Sequence, residues 1–487
     1  AMVPPDTYDL LLDNPKYDHT LLGPPSPAVD TTDYAIGLNA SALIPDGGTL
    51  QIGIGALGDA IAYGCITRHK KNRRYREVLK ALGVLDRHAE AIASAGGTNR
   101  FREGLYGSTE MFADGFRHLI NNDILKREVY PDTSLQRLLN EGLIGADVSA
   151  RTLDQLIAVG AIEARLGEAD VEYLQRFGIF KKSVTYRDGR LRTARGVEMA
   201  ANLGHPQSRA RLLRYCLGDR LEGGILLHAG FFLGPQAMYD QLRGMSEAES
   251  RKICMTDIAY VNQLYGCEEI ARLQRQKARF INTTVMVSLL GAACSDGLED
   301  GRKISGVGGQ YNFVAMAHAL DDAHSILMCR STRNKDGEVT SNIVWNYGHT
   351  TIPAHLRDVV VTEYGIALLR GQREKDVIAR LLNIADSRFQ ERLLTEAREA
   401  GKIPEDYRIP DRYRNNTPER LQQTLAPFRE QGLFPRFPFG SDFTDEELVL
   451  MDVLQKLKAD LHSRGALLKT LAGAVEATLL PPDTYQR

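Results

Sequence analysis

The chain has 487 residues, of which 43% are hydrophobic and 25% are charged, and its net charge is −2. This composition is ordinary for a globular protein with a sizeable core. The near balance of charge disfavours a general binder of nucleic acid or of a membrane surface, and no apolar run approaches the length of a spanning helix. Six widely spaced cysteines without a C-x-x-C pair favour a reducing cytoplasm and predict neither a zinc site nor a disulfide framework.

The order of predicted elements indicates an α/β protein with open sheets covered by helices. Short apolar runs separated by glycine turns predict strands, and longer segments with helical apolar spacing predict helices. We expect an extended lead-in (1–33), a first α/β segment (34–130), a mainly helical insertion (131–223), a second α/β domain (224–404), and a linker with a terminal helix (405–487). Thr444 and Glu447 form a capping-box pattern before that last helix.

A glycine turn in the first α/β segment raises the question of a dinucleotide site. Gly53, Gly55 and Gly58 follow a short apolar run and give G-x-G-x-x-G. A dinucleotide site needs an acidic residue about 20 positions later, but RRYREVLKALG is basic and helix-like there, which disfavours an NAD(P)-dependent oxidoreductase. The alternatives are a turn whose N–H groups hold a phosphate or an oxyanion, and a tight turn with no ligand.

Three later stretches favour a site assembled from two distant parts of the chain. GLYGSTEMFADGF (104–116) carries Glu110 among glycines, and ISGVGGQYNF (304–313) is a second glycine turn. VVVTEYGIALLRG (359–371) places Glu363 at the end of a strand-like run. Two glycine turns and two strand-end glutamates predict one site.

Together these stretches resemble the acetyl-CoA hydrolase/transferase family, of the class I CoA-transferase type. The similar segments, in the family's order, are IPDGGTLQIGIGALGDAI, TEMFADGF, AYVNQ, FINTT, SGVGGQYNF, VVVTEYGIALLRG and IADSRF. The resemblance covers roughly 34–130 and 224–400. It implies a CoA-transferase-like fold, a homo-oligomer, and transfer of CoA between carboxylic acids or hydrolysis of acyl-CoA.

The same resemblance implies roles for individual residues. Glu110 is the expected nucleophile, which forms an acyl anhydride and then a glutamyl-CoA thioester. The N–H groups of Ile54 and Gly309 are the expected oxyanion donors. Asn262 is expected to orient either the bound carboxylate substrate or the glutamate, and Glu363 is expected to hydrogen-bond it.

Six further residues are expected to contact the CoA ester: Gln51, Gly53, Gly55, Gly306, Gly308 and Gln310. For Gln51 and Gln310, the alternative is that they satisfy nearby backbone groups. The anhydride route requires no metal and no permanently bound cofactor, so coenzyme A and acyl-CoA enter as substrates. His318, His349 and Cys294 fit no motif of the site and are interpreted as structural.

The chain departs from the family at two places that bear on function. Met286 and Ser288 stand where the family has two carboxylates, so either these positions only support a strand or substrate preference has changed. Only about 50 residues precede the first glycine turn, whereas the family has a whole α/β domain there. The sequence therefore leaves three possibilities open. The chain is a fragment, or the N-terminal CoA-transferase domain is on a separate polypeptide, or the protein is a catalytically weak acyl-CoA-binding or regulatory protein.

Overall fold

A computed structural model describes residues 7–460, apart from residues 13, 18, 20 and 336. Helices and strands alternate along most of these residues, as the α/β prediction requires, and the α/β class is confirmed. The helices are α1 (Thr31–Ser41), α2 (Ala56–Lys70), α3 (Asn72–Ala81), α4 (Val84–Arg87), α5 (Ala89–Ala95), α6 (Asp114–Asn121), α7 (Thr133–Asn140), α8 (Ala150–Ala158), α9 (Glu168–Arg176), α10 (Pro206–Tyr215), α11 (Gln236–Gly244), α12 (Glu247–Ser250), α13 (Ile258–Asn262), α14 (Glu268–Gln274), α15 (Gln310–Ala319), α16 (Glu374–Leu382), α17 (Ser387–Glu399), α18 (Pro418–Glu430) and α19 (Asp445–Asp460). The strands are β1 (Thr49–Ile52), β2 (Tyr106–Phe112), β3 (Thr185–Arg187), β4 (Arg190–Arg192), β5 (Glu198–Ala200), β6 (Leu227–Phe232), β7 (Ile253–Met255), β8 (Ala278–Thr283), β9 (Met286–Ser288), β10 (Ala293–Cys294), β11 (His324–Met328), β12 (Thr332–Lys335), β13 (Glu338–Ser341), β14 (Ile343–Val344), β15 (Val359–Thr362) and β16 (Gly365–Leu368).

One large sheet joins the two predicted α/β segments. Its strand order is β16-β15-β11-β8-β1-β2-β6-β7, so the two strands from residues 34–130 lie between strands from residues after 224. Neighbouring strands are parallel except for the antiparallel pair β15–β16. The carboxyl ends of the parallel strands therefore meet at one edge, which is where ligands bind in open α/β sheets.

The insertion has a hydrophobic core of its own. Its buried apolar residues run from Tyr130 to Leu221 and include Leu153, Leu174 and Phe180. Besides α7–α10 it contains a three-stranded antiparallel sheet formed by β3, β4 and β5, so the expectation of a mainly helical segment was incomplete. Because the three strands are only three residues long, their alternation was too brief to predict.

The C-terminal elements return to the large sheet's helical layer. Helix α18 packs against α1 and α3. Thr444 and Glu447 form the predicted capping box before α19, since each backbone N–H donates to the other residue's side chain at 2.9 and 3.2 Å. The remainder of the predicted tail, 461–487, lies outside the described residues.

No helix among the described residues has both the length and the apolar character needed to cross a membrane.

A close helix contact depends on a glycine in α1. A Cβ added at Gly37 would lie 2.6–2.7 Å from Ala60 of α2, where both helices are buried. We expect Gly37→Ala to lower the free energy of unfolding by about 1–2 kcal/mol, because overpacking outweighs the helical preference of alanine.

Chemical denaturation of the variant and the parent measures this difference. Gly244→Ala is the matched control. Gly244 is the last residue of α11, and no atom lies within 4 Å of a Cβ added there. We expect the control to stay within about 0.5 kcal/mol of the parent. A Gly37→Ala protein as stable as the parent would contradict the close-contact account.

Candidate active site

Glu110 lies near the carboxyl end of β2, and glycines flank it on both neighbouring strands. The pairing of β2 with β6 places Thr109 opposite Ala229 and Met111 opposite Phe231, so Gly230 lies opposite Glu110. The register of β1 with β2, continued past Leu50 and Gly107, brings Gly53 beside Glu110 on the other side. The half-buried carboxylate therefore has no side chain directly beside it on either strand.

Asn262 fixes one oxygen of this carboxylate. Its Nδ2 donates a hydrogen bond to Glu110 Oε2 at 3.1 Å. Asn262 is buried at the end of α13, and α13 packs against β2 and β6. Because a carboxylate only accepts hydrogen bonds, the amide nitrogen must face Glu110, which sets the orientation of the Asn262 amide. This contact is the one that the second of the two expected roles of Asn262, orienting the glutamate, requires.

The second glycine turn closes on the same carboxylate. A Cβ added at Gly309 would overlap Glu110 Oε2 and would lie 2.6 Å from Asn262 Nδ2. A Cβ added at Gly308 would lie 3.6 Å from Glu110 Oε1, and Gly308 has a φ of +55°. Only glycine at position 309 lets the turn approach Glu110 so closely. The structure thus brings 110, 262 and 309 together from distant parts of the chain.

Two glycines of the first turn, Gly55 and Gly58, each have a structural reason. Gly55 has a φ of +109° and precedes α2, and a Cβ added at Gly58 would overlap the Gly53 carbonyl oxygen. The turn leaves Ile54 exposed at the carboxyl edge of the sheet. The Ile54 and Gly309 N–H groups donate to no acceptor among the described residues. These two donors are therefore free to bind a developing oxyanion.

A buried arginine holds the end of α13. Arg275 is 1% exposed and donates to the Tyr260 and Gln263 carbonyl oxygens, the latter at 2.9 Å. These two carbonyls bracket Asn262 in the chain, so Arg275 restrains the segment that carries the amide. Its sequence context, RLQRQKARF, looks like a solvated helix end, which is why sequence reasoning missed it.

Polar side chains beneath the site are held neutral by burial. Tyr106 and His228 share a hydrogen bond of 2.7 Å between the hydroxyl and Nδ1. Burial, with a smaller effect of Arg275, lowers the pKa of His228 to about 3, so its ring is neutral at pH 7. The floor of the site therefore adds no positive charge from this histidine.

Glu363 does not reach Glu110. It follows β15, four strands from β2 in the sheet, which corresponds to about 19 Å at about 4.8 Å per strand. Its carboxylate accepts hydrogen bonds from Ser331 N at 2.9 Å and Ser331 Oγ at 2.6 Å, and burial raises its pKa to about 6. The expected hydrogen bond to the nucleophile is not formed, because strand order separates two residues that the sequence pattern grouped.

Gln51, Gln310 and Gly306 lie at the same edge in different environments. The Gln51 side chain exchanges hydrogen bonds with that of Asn282 at 3.3 and 3.2 Å. Gln310 Nε2 donates to the Thr283 carbonyl at 3.1 Å, which is the backbone role considered as its alternative. Gly306 is exposed, and a Cβ added there meets no atom within 4 Å.

The two family-specific replacements lie inside a small buried sheet. Met286 and Ser288 belong to β9, which lies between β10 and β14, and both are buried. Ser288 Oγ accepts a hydrogen bond from Ala292 N at 3.1 Å. These contacts agree with the first alternative, in which the two positions only support a strand.

The three residues set aside in the sequence have partners of their own. His318 Nε2 lies 3.0 Å from the Leu356 carbonyl, and His349 Nε2 lies 3.0 Å from Asp296 Oδ1. Cys294 is buried, and its Sγ donates to the Gly297 carbonyl at 2.9 Å. In the described part of the chain, no group of three or more His, Cys, Asp or Glu side chains could hold a metal ion.

The similarity to a known protein family lies mostly in the second half of the chain. A family model described as the acetyl-CoA hydrolase/transferase C-terminal domain matches residues 234–397. The 4-hydroxybutyrate coenzyme A transferase of Clostridium kluyveri is 30% identical over 177 residues, which is 35% of this chain and 38% of that protein. The probable butyrate:acetyl-CoA coenzyme A-transferase of Syntrophomonas wolfei is 31% identical over 170 residues, which is 34% of this chain and 36% of that protein.

A solved structure covers more of the chain at lower identity. RipA from Yersinia pestis aligns with 79% of this chain and 57% of its own, with 19% sequence identity and a TM-score of 0.46. The chain spans less than two fifths of the length of the two curated relatives. The resemblance seen in the sequence is confirmed over residues 234–397, which are similar to the acetyl-CoA hydrolase/transferase C-terminal domain.

Proposed function

We propose that this protein transfers CoA between carboxylic acids, or hydrolyses acyl-CoA, with Glu110 as the nucleophile. The observation that carries the proposal is the Glu110 carboxylate, which Asn262 holds between two glycine turns with unused N–H groups. The names of the two curated relatives support CoA transfer as the reaction class.

The first half of the reaction moves CoA onto the enzyme. Glu110 Oε1, which has no hydrogen-bond partner among the described residues, attacks the thioester carbonyl. The carbon–sulfur bond breaks, CoA leaves as a thiolate, and an acyl-glutamyl anhydride remains. The thiolate then attacks the Glu110 carbonyl of the anhydride, which releases the first carboxylate and leaves a glutamyl-CoA thioester.

The second half returns CoA to an acceptor. An incoming carboxylate attacks the Glu110 thioester carbonyl and expels CoA thiolate, which then attacks the acyl carbonyl of the new anhydride. New acyl-CoA and free Glu110 result. Water in place of the acceptor gives free CoA and Glu110, which is hydrolysis.

Charge stabilisation is the main contribution of the two turns. Each attack places negative charge on a carbonyl oxygen, and the Ile54 and Gly309 N–H groups would donate hydrogen bonds to that oxygen. One such donor contributes about 2.7–4 kcal/mol of transition-state stabilisation. Asn262 holds Oε2, so Oε1 is oriented for attack.

Covalent trapping tests the nucleophile. After incubation with an acyl-CoA and treatment with borohydride or hydroxylamine, mass spectrometry should find the peptide of Glu110 modified. Glu110→Gln should lose both the modification and at least about 10³-fold in turnover, because an amide is a much weaker nucleophile than a carboxylate. Glu363→Gln is the matched control and should keep the label at Glu110. A modified cysteine, or an active enzyme without a modified glutamate, would contradict the mechanism.

Gly309→Ala tests the second turn. The added methyl group would overlap Glu110 Oε2, so we expect turnover to fall by about 10²-fold or more while the fold is kept. Gly145→Ala, where an added Cβ has open space, is the control and should keep the parent's rate. Steady-state kinetics with circular dichroism separates the two effects. Equal rates for both variants would exclude the close approach of Gly309 to the reacting group.

Arg275→Lys tests whether the restraint on α13 matters for the reaction. One ammonium cannot bracket both carbonyls as a guanidinium does, so we expect kcat to fall about tenfold with little change in KM. Arg279→Lys is the matched control, because Arg279 is also buried and also donates to backbone carbonyls, at Leu43 and Ala95. An equal loss of kcat in both variants would indicate general destabilisation.

A further inference from the structure

A polar cavity, here called the seam cavity, lies where the insertion meets the large sheet. Its volume is about 500 Å³, within the range of roughly 300–1,000 Å³ that is typical of small-molecule sites. One wall comes from the loops that precede the neighbouring parallel strands β8, β1 and β2, and another comes from the insertion. The seam cavity therefore lies at the amino edge of the sheet, opposite to the edge that carries Glu110.

The charged side chains of the seam cavity are mostly positive. Six charged residues line it, and they are Glu103, Lys126, Arg127, Glu128, Arg220 and Lys277. Two of them have partners outside the lining, since Lys126 Nζ lies 2.9 Å from Asp123 Oδ2 and Glu128 Oε1 lies 2.7 Å from Lys252 Nζ. The other three cations and the other carboxylate form no ion pair within the described part of the chain. The lining therefore has a surplus of two positive charges.

Arg127 has hydrogen-bond donors that are only partly used. Its Nη2 donates to Thr49 Oγ1 at 2.8 Å and to the Gln274 carbonyl at 3.1 Å. Its Nε is buried, and neither Nε nor Nη1 has a hydrogen-bond partner among the described residues. Burial lowers the pKa of Arg127 to about 10, so the side chain is charged at pH 7. A charged guanidinium with unused donors beside a cavity is suited to binding an anion.

Gln274 connects the wall of the seam cavity to α13. Its Nε2 donates to the Tyr130 carbonyl at 2.9 Å, and its Oε1 accepts a hydrogen bond from the Tyr260 hydroxyl at 2.6 Å. Tyr130 lines the cavity, and Tyr260 belongs to α13. Gln274 is buried, and the residue after it is Arg275, which restrains the end of α13. An anion in the cavity would therefore act on a buried hydrogen-bond network that reaches α13.

We propose that the seam cavity binds a small dianion, a phosphate or dicarboxylate group, and that binding restrains α13. Two negative charges match the surplus of two positive charges, and Arg127 supplies N–H donors as well as charge. An anion on Nη1 of Arg127 leaves the Nη2 bonds to Thr49 and Gln274 in place and limits movement of the guanidinium. Binding requires no reaction at Glu110. A consequence for turnover, through Asn262, rests on the proposed function.

Isothermal titration calorimetry with inorganic phosphate, glycerol 3-phosphate and succinate, at constant ionic strength, tests the binding. We expect saturable binding with a Kd below about 1 mM, and the tighter of the phosphate and succinate arms identifies the anionic group. The double variant Arg220→Gln/Lys277→Gln removes two exposed cations of the lining and should weaken binding at least about tenfold. Arg195→Gln/Lys375→Gln is the matched control. It removes the same charge at exposed positions outside the cavity and should bind as the parent does.

Hydrogen exchange measured by mass spectrometry tests the effect on α13. With the tightest of the three anions at saturation, we expect exchange in the peptide that covers α13 to slow by about fivefold. The peptide that covers α17, which does not line the cavity, should exchange at an unchanged rate.

The outcomes separate this proposal from the proposed function. No saturable binding, an equal loss of affinity in both double variants, or binding without slower exchange at α13 would overturn it. Binding that Arg220→Gln/Lys277→Gln leaves unchanged would place the anion elsewhere, for instance beside Glu110 as an acceptor acid, and would also overturn it. Binding lost in that variant alone, with slower exchange at α13 in the parent, would support it. None of these measurements uses turnover, so an inactive protein would overturn the proposed function alone.

Discussion

The hydrogen bond from Asn262 to Glu110 is the interaction on which the candidate site depends. It joins a strand from the first part of the chain to a helix from the second, and Gly309 comes from a third region. The glycines at 230 and 309 are the condition for this convergence, since a Cβ at 230 would overlap Ile258 and a Cβ at 309 would overlap the carboxylate. Because these glycines have no side chains, there is space for one charged group and its substrate.

Buried arginines provide the rigidity behind this arrangement. Arg275 restrains the end of α13, while Arg68 and Arg279 tie the ends of several elements together through backbone carbonyls. None of these three forms its main contacts with a carboxylate. Burial lowers the pKa of each, and their hydrogen-bond partners are mainly neutral backbone oxygen atoms. The cost of burying a charge is offset by satisfying several carbonyls at once.

Sequence patterns predicted local elements, because glycine turns and strand ends are encoded locally. The grouping of Glu110, Asn262 and Gly309 was implied by the family resemblance and not by the local patterns. They did not predict strand order, which separates Glu363 from the site although both glutamates end parallel strands. They also gave no signal for Arg275 or for Arg68, which belongs to the basic run RHKKNRRYR but is buried. Burial of a charged side chain depends on which distant carbonyls surround it, and a single sequence does not contain that information.

A crystal structure of the protein after reaction with an acyl-CoA, in the absence of an acceptor, tests the central claim most directly. The account predicts continuous density from Glu110 Cδ to the CoA sulfur. It also predicts that the thioester oxygen lies about 2.7–3.1 Å from the N–H groups of Ile54 and Gly309. CoA bound elsewhere, beside Glu363 for example, with an unmodified Glu110 in active protein would contradict it.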